Sequence, residues 1–428
     1  MEVADDQSSR DNKNCCFGIN LTYIDYFVII LTGFIIIIFH IEDEIPFYYS
    51  CLQVIGQNTI TSKTWWYKCP YVQMKKEFYQ NDPQVINYAL ISGKTYTERA
   101  IVPYEYVTRS VVYTTLFQNV FVSKDQISDE TLSFRLHWND VGPHNMKLTS
   151  GVIPELVYYV QFFPMYGHNI HDFLCAMMYV PQELVAKGFM VNSPLSHHEA
   201  TQKILKFLGY NITFVDLSNQ YFVNSLYLIN NLVRAHGYTA GGLDRLRKVI
   251  KTKVDFNKIK PTRFVICDRP KNSGRNFDNV NKLFGAIQSG TKIDEGSWWE
   301  ISDTKFECDI ETIVKFWQSI KVLVAPCGSG IYNSIFMHEK CGMCLMFTTQ
   351  VDEPNLQLCA NLKFFLIGVI HPNIPHKDNK VYPVNIPAMV KYTQRVVDAV
   401  NAGKWTTMDE TVVHFPEPDF LESPPIEF

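Results

Sequence analysis

The chain has 428 residues, 46% of them hydrophobic, and a formal charge of −4 at pH 7. That length and apolar content exclude a disordered chain and leave room for two domains of ordinary size. The charge balance gives no basis for nucleic-acid binding, and eleven cysteines are too few for a disulfide scaffold in a chain this long.

The first element is an uncharged apolar run from Tyr26 to Phe39, interrupted upstream only by Asp25. A spanning helix needs about 20 apolar residues, so residues 19–41 are expected to form a transmembrane signal anchor with Asp25 near the headgroups. His40 to Pro46 offers no pair of small residues for a signal peptidase, which favours an uncleaved anchor. Arg10 and Lys13 precede the segment and the next basic residue is Lys63, so residues 1–18 are expected in the cytosol and the body in the lumen. Cys15 and Cys16 then lie on the cytosolic side. Asn211, in Asn211-Ile212-Thr213, is the glycosylation sequon beyond the anchor.

Beyond the anchor, residues 48–245 are expected to form a first α/β domain and 255–405 a second, with a tail over 406–428. Arg109 to Val122 reads as β-structure. Gly188 to Asn192 reads as a strand, Ser196 to Glu199 as a capping box opening a helix that Gly209 closes, and Asn211 to Leu217 as the next strand. The basic stretch Arg245 to Lys253 reads as one solvated helix face. The rhythm repeats with a strand at Arg263 to Cys267 and a helix ending near Ala286. A helix with N-cap Asp309, a buried strand at Lys321 to Ala325, a helix from Ile331 to about Glu339 and a strand from Cys341 to Thr348 complete it. Cys341-Gly342-Met343-Cys344 has the spacing of a metal or redox pair. Its apolar setting instead predicts buried strand cysteines, or a disulfide to Cys327 or Cys359.

Three segments carry chemistry. Val322 to Asn333 runs from a strand through Gly328-Ser329-Gly330 into a helix, a turn whose backbone amides and helix dipole suit a phosphate. Arg269 ends an earlier strand and Arg275 lies in its turn, so both can reach the same sheet edge, where guanidinium forks suit diphosphate oxygens. Tyr166 to Phe173 gathers His168, His171 and Asp172 ahead of an apolar helix pattern, and a histidine or aspartate there can take a proton from a hydroxyl. Two histidines three apart lack a third ligand at recognisable metal spacing.

The order of these segments resembles glycosyltransferase family 61, which includes plant xylan arabinosyl- and xylosyltransferases and animal enzymes that add O-linked GlcNAc. The resemblance covers roughly residues 150–350, with its nearest points at His171-Asp172-Phe173, Arg269, Arg275, Gly328, Gly330 and Asn333. Cys327 stands where the family has a histidine, Ser329 replaces alanine, Tyr332 replaces threonine, and Cys175 stands where plant members carry aspartate. The resemblance implies a GT-B-like pair of Rossmann-type domains and an inverting transfer from a nucleotide sugar, expected to be UDP-linked, to a protein or glycan hydroxyl. It assigns Arg269, Arg275, Cys327, Gly328, Ser329, Gly330 and Asn333 to the donor, and His171 or Asp172 to the base. No metal or other cofactor is then required. With the anchor, it implies a single-pass type II protein of the Golgi or endoplasmic reticulum membrane, tied to the bilayer by one helix. The competing class is an inactive relative that keeps a carbohydrate or nucleotide site, favoured by Cys327. A thiol oxidoreductase on Cys341 and Cys344 lacks a thioredoxin-like context.

Overall fold

A computed structural model describes residues 63–68, 111–128, 132–135, 140–143, 149–231, 238–269, 276–277, 279–302, 309–348, 354–355, 358–359, 362–371, 374, 380–406 and 413–414. All of them belong to the unit Cys51–Phe428. The expected anchor, the two cysteines before it, Arg275 and most of the C-terminal tail lie outside the described residues. Among the described residues, no helix is long and apolar enough to cross a membrane.

The architecture is mixed α/β. The first sheet holds β1 (Lys63–Lys68), β2 (Val111–Ser123), β3 (Gln126–Ser128), β4 (Leu132–Arg135), β5 (Asp140–Pro143), β6 (Thr149–Tyr159), β7 (Phe189–Asn192), β8 (Ile212–Val215) and β9 (Gln220–Asn231). Its order is β5-β4-β3-β2-β9-β6-β7-β8, with β1 paired to β2. The block β9-β6-β7-β8 is parallel, and β2 joins it antiparallel along β9. Between β6 and β7 run a helical segment α1, from Tyr166 to Met177, and helix α2 (Gln182–Lys187). The expected βαβ rhythm is present in β7, helix α3 (His198–Leu208) and β8, whose Asn192 and Val215 lie in register.

The second sheet contains β10 (Arg263–Asp268), β12 (Trp298–Ser302), β13 (Ile320–Pro326), β14 (Gly342–Phe347), β15 (Phe365–Ile370) and β17 (Val413–His414), in the order β12-β10-β13-β14-β15-β17. Of these, β17 alone is antiparallel. A separate pair joins β11 (Asn276–Phe277) to β16 (Val381–Tyr382). The parallel sheets fit Rossmann-like organisation, as the sequence implies, whereas the antiparallel extension of the first sheet goes beyond the β-structure expected there.

Strand β13 shows why its sequence is a continuous apolar run. Leu323 and Ala325 face one core while Val322 and Val324 face another, because successive side chains leave a strand on opposite sides. The same alternation divides Met343 and Leu345 from Cys344 and Met346 in β14. Helices α5 (Val280–Gly290) and α7 (Ile386–Ala402) cover one face through Leu283, Ile287, Met389 and Val396. The other face joins a larger core that also takes Val157 and Val191 from the first sheet.

Helix α4 (Thr239–Lys253) runs between the two sheets in sequence and sends Leu243, Leu246 and Ile250 into that shared core. Its spacing is that of one helix face. Arg247 corrects the reading of this stretch as wholly solvated. It is buried, its guanidinium donates to the carbonyls of Ile335 and Met337, and it lies 4.2 Å over the Phe256 ring. Lys248, Lys251 and Lys253 do face solvent.

Two cap readings divide. Asp309 caps helix α6 (Ile310–Gln318) by accepting from the Thr312 amide at 2.9 Å, as its sequence position implies. Ser196 caps nothing, because its hydroxyl donates to the carbonyl of Pro164 at 2.5 Å. Helix α3 starts instead behind His197 in the left-handed region at φ 53°. The cysteines of the CxxC pair are buried free thiols, as are Cys175, Cys267, Cys327 and Cys359, so no disulfide joins any of these six. Cys341, just before β14, and Cys344 within it enter the two opposite cores, and burial pushes each thiol up to about 12.

Candidate active site

Segment α1 begins at Tyr166–His168, widens into a π-helix over Asn169–Leu174 and ends at Cys175–Met177. Every residue of the π-helix is buried, and such widened turns recur at functional sites because they re-aim side chains. Here the segment holds Asp172 between two imidazoles. His168 Nδ1 lies 2.7 Å from Asp172 Oδ2, and His171 Nδ1 lies 2.9 Å from Oδ1. A carboxylate only accepts, so both rings present Nδ1–H to it, and in the neutral form each then carries its lone pair on Nε2. His168 is the more exposed ring, at 12% against 2% for His171. The two rings are 4.3 Å apart between centroids.

This arrangement refines the expected base. Asp172 is buried with an imidazole on each oxygen, a geometry suited to orienting the two rings. His168 belongs to the recognised segment, yet the family resemblance does not assign it a role. Its i, i+4 spacing to Asp172 is the available signal, since such residues meet on one helix face. The trio His168, His171 and Asp172 also has ligand atoms within 4.8 Å of one another, so it could hold a metal ion. Its contacts at 2.7 and 2.9 Å are hydrogen-bond lengths, shorter than the roughly 3.3 Å between neighbouring ligands implied by tetrahedral metal bonds of about 2.0 Å.

The glycine loop leaves β13 at Cys327. Gly328 has φ 142° and ψ −164°, a backbone that requires glycine. The chain then enters a 3-10 helix, Ser329–Phe336, in place of the expected α-helix to Glu339. Asn355 explains part of the loop's shape. Its Oδ1 accepts from the Gly328 amide at 2.6 Å, so that amide is engaged within the protein. Ser329 and Gly330 come before the amide of Ile331, which donates to the Gly328 carbonyl at 3.4 Å. Nothing in the sequence around Asn355 marks it.

Arg269, just past β10, donates from Nη1 to the Cys327 carbonyl at 2.8 Å, so the structure does join the expected arginine to the loop. The two lie on neighbouring parallel strands at their carboxyl ends, which accounts for the meeting. Cys327 itself is fully buried, with its amide donating to Met346, and therefore supports the loop from beneath.

The loop and α1 are in direct contact. Tyr166 donates to Asn333 Oδ1 at 2.6 Å, and the His171 and Tyr332 rings are 5.0 Å apart. A Cβ on Gly167 would sit 3.1 Å from Ser329 Oγ and from the Tyr332 ring. Six expected residues, His171, Asp172, Arg269, Cys327, Gly328 and Asn333, thus fall in one connected region. Asn211 is exposed at the start of β8, away from this network.

Residues 166–344 match the model of the family described as Glycosyltransferase 61. Over that segment the chain is glycosyltransferase family 61-like. The matched segment begins at Tyr166 and ends in β14, so it contains α1, Arg269 and the glycine loop, and it supports a transferase of glycosyl groups. No curated protein matches the chain. Among solved structures, rubredoxin oxygen:oxidoreductase from the anaerobe Desulfovibrio gigas aligns at 10% identity and a TM-score of 0.24. The alignment covers 55% of this chain and 52% of that one, about half the length of each. A likeness that slight bears on neither fold nor chemistry.

Proposed function

We propose that this protein transfers a sugar from a nucleotide-sugar donor to a hydroxyl of a glycan or protein, with inversion at the anomeric carbon. The observation that carries the reading is the direct packing of the His168–Asp172–His171 cluster against the glycine loop that Arg269 braces. A base and an anion-binding turn are then side by side, as a displacement between hydroxyl and diphosphate requires.

The acceptor oxygen attacks the anomeric carbon while the bond to the diphosphate oxygen breaks. The hydroxyl proton goes to Nε2 of a histidine whose Nδ1–H is held by Asp172, and the bonding pair leaves with the diphosphate. The amides of Ser329 and Gly330 and the guanidinium of Arg269 stabilise that leaving charge. Arg275 is assigned to the same diphosphate by the family motif. This chemistry asks for no cofactor, and the donor is a substrate. Together with the apolar segment from Tyr26 to Phe39, the reading implies a type II enzyme of the Golgi or endoplasmic reticulum membrane.

The test is hydrolysis of a panel of UDP-sugars by the full-length protein and by Arg269→Ala. Turnover should vanish in the variant while its thermal transition is unchanged; full retained turnover would remove Arg269 from the diphosphate site. One observation favours a second reading as a non-catalytic binder. Cys327 is buried where the family carries a histidine, so the loop lacks that side-chain donor. Stabilisation by UDP without turnover of any UDP-sugar would support that alternative.

A further inference from the structure

A cleft of about 440 Å³ opens at the carboxyl ends of β6, β7 and β8, on the far side of Gln161 from the π-helix. Ligands of parallel α/β sheets collect at this edge, because the strands end there and loops replace them. We infer that this cleft is a binding site for a neutral saccharide, and that in the transferase reading, on which its role rests, the saccharide is the acceptor.

Charge argues for a neutral ligand. Lys124 and Asp216 both line the cleft, so its one carboxylate is matched by one ammonium and neither an anion nor a cation finds an unopposed field. Asp216 is also preset. Its Oδ1 accepts from both the amide and the hydroxyl of Ser218, at 2.9 and 2.6 Å, leaving Oδ2 as the oxygen for a sugar hydroxyl. Leu195 offers exposed apolar surface beside these polar groups, the pairing that suits the C–H and O–H faces of a pyranose. The volume falls within the range of small-ligand sites.

Position argues for the acceptor. Gln161 forms a wall of the cleft, accepting from the Leu195 amide at 2.9 Å and donating to Asn169 of the π-helix at 2.7 Å. Two residues on, the exposed Phe163 ring stands 4.8 Å from His168. A chain of sugars seated at Asp216 would therefore run past Phe163 toward the outer histidine.

The experiment titrates the full-length protein with lactose, cellobiose, xylobiose and N,N′-diacetylchitobiose, monitored by saturation-transfer NMR. At least one should bind saturably, Asp216→Ala and Leu195→Asp should each weaken it by about tenfold or more, and added UDP should leave it unchanged. Absence of saturable binding by all four, equal affinity in Asp216→Ala, or displacement by UDP would each overturn the site. A protein that binds the saccharide normally yet neither binds nor hydrolyses any UDP-sugar would keep the site and remove the transferase role.

Discussion

Tyr166 and Asn333 are 167 positions apart in the chain and share a 2.6 Å hydrogen bond, so the segment bearing the histidines and the helix of the glycine loop are fastened to each other. A double-mutant cycle of Tyr166→Phe and Asn333→Ala should show a coupling of about 1 kcal/mol in stability. Donor hydrolysis should fall several-fold in each single variant, with little further loss in the pair. Strict additivity in both readouts would mean that the contact does not align the two segments.

The histidine cluster gives the next expectation. His168→Gln and His171→Gln separate the outer from the inner ring, and the one that takes the acceptor proton should lose about 100- to 10,000-fold in kcat. Asp172→Asn should also lower kcat, by disturbing the Nδ1–H tautomer of both rings. Saccharide transfer assayed beside the histidine variants would show Asp172→Asn lowering kcat with little change in KM; an unchanged kcat would leave Asp172 a packing residue.

Helix α4 is a strut between the same two segments. A Cβ on Gly242 would come within 2.4 Å of the Cys175 Cβ and 3.0 Å of its Cα, and Arg247 grips the carbonyls at the end of the 3-10 helix. Gly242→Ala should cost about 1–3 kcal/mol through overpacking against backbone. Arg247→Met should cost about 1–3 kcal/mol or more by leaving two buried carbonyls without their donor. Denaturant unfolding measures both, and neutral values would show that α4 can shift without consequence.

Acid should loosen the second sheet at His371. Its Nδ1–H faces the carbonyls of Phe347 and Val369 at 3.0 and 3.1 Å, while Nε2 accepts from the amide of Asn385, the N-cap of α7, at 3.2 Å. The accepting Nε2 needs a neutral ring, and burial holds the pKa below the ordinary histidine value. The unfolded chain then binds the proton more readily than the folded one, so this stability is present above about pH 6.5 and is lost as pH falls below it. The thermal transition should decline from pH 7 to 5 less steeply in His371→Gln than in the unaltered protein.

The buried thiols set a basic limit. Cys341 and Cys344, pushed up to about 12, stay protonated in the fold while the unfolded chain ionises near the ordinary thiol value. Their contribution is intact below that value and is lost as pH rises toward 12. At pH 8, iodoacetamide should label neither residue until denaturant is added, as peptide mapping would show; rapid native labelling of either would contradict their burial.

By itself, the sequence was enough for the features that depend on local pattern. The apolar alternation of β13 and β14, the Asp309 cap and the glycine turn at Gly328 all arise from side-chain periodicity or backbone permissiveness over a few residues. The motif order Tyr166 to Phe173, Arg269, then Gly328 to Asn333 likewise marked the family segment. Only the tertiary structure decided which groups meet. Arg269 reaches Cys327 because β10 and β13 are parallel neighbours, and Asn355 closes on Gly328 from a loop with no signature. Arg247 looked solvated because its helix is lysine-rich, yet the face it occupies lies against the 3-10 helix. Asp172 came to lie between two imidazoles for a comparable reason. A buried carboxylate takes whatever donors the π-turn brings to it, and while the i, i+4 spacing marks His168, only the widened turn aims the adjacent His171 at the same group.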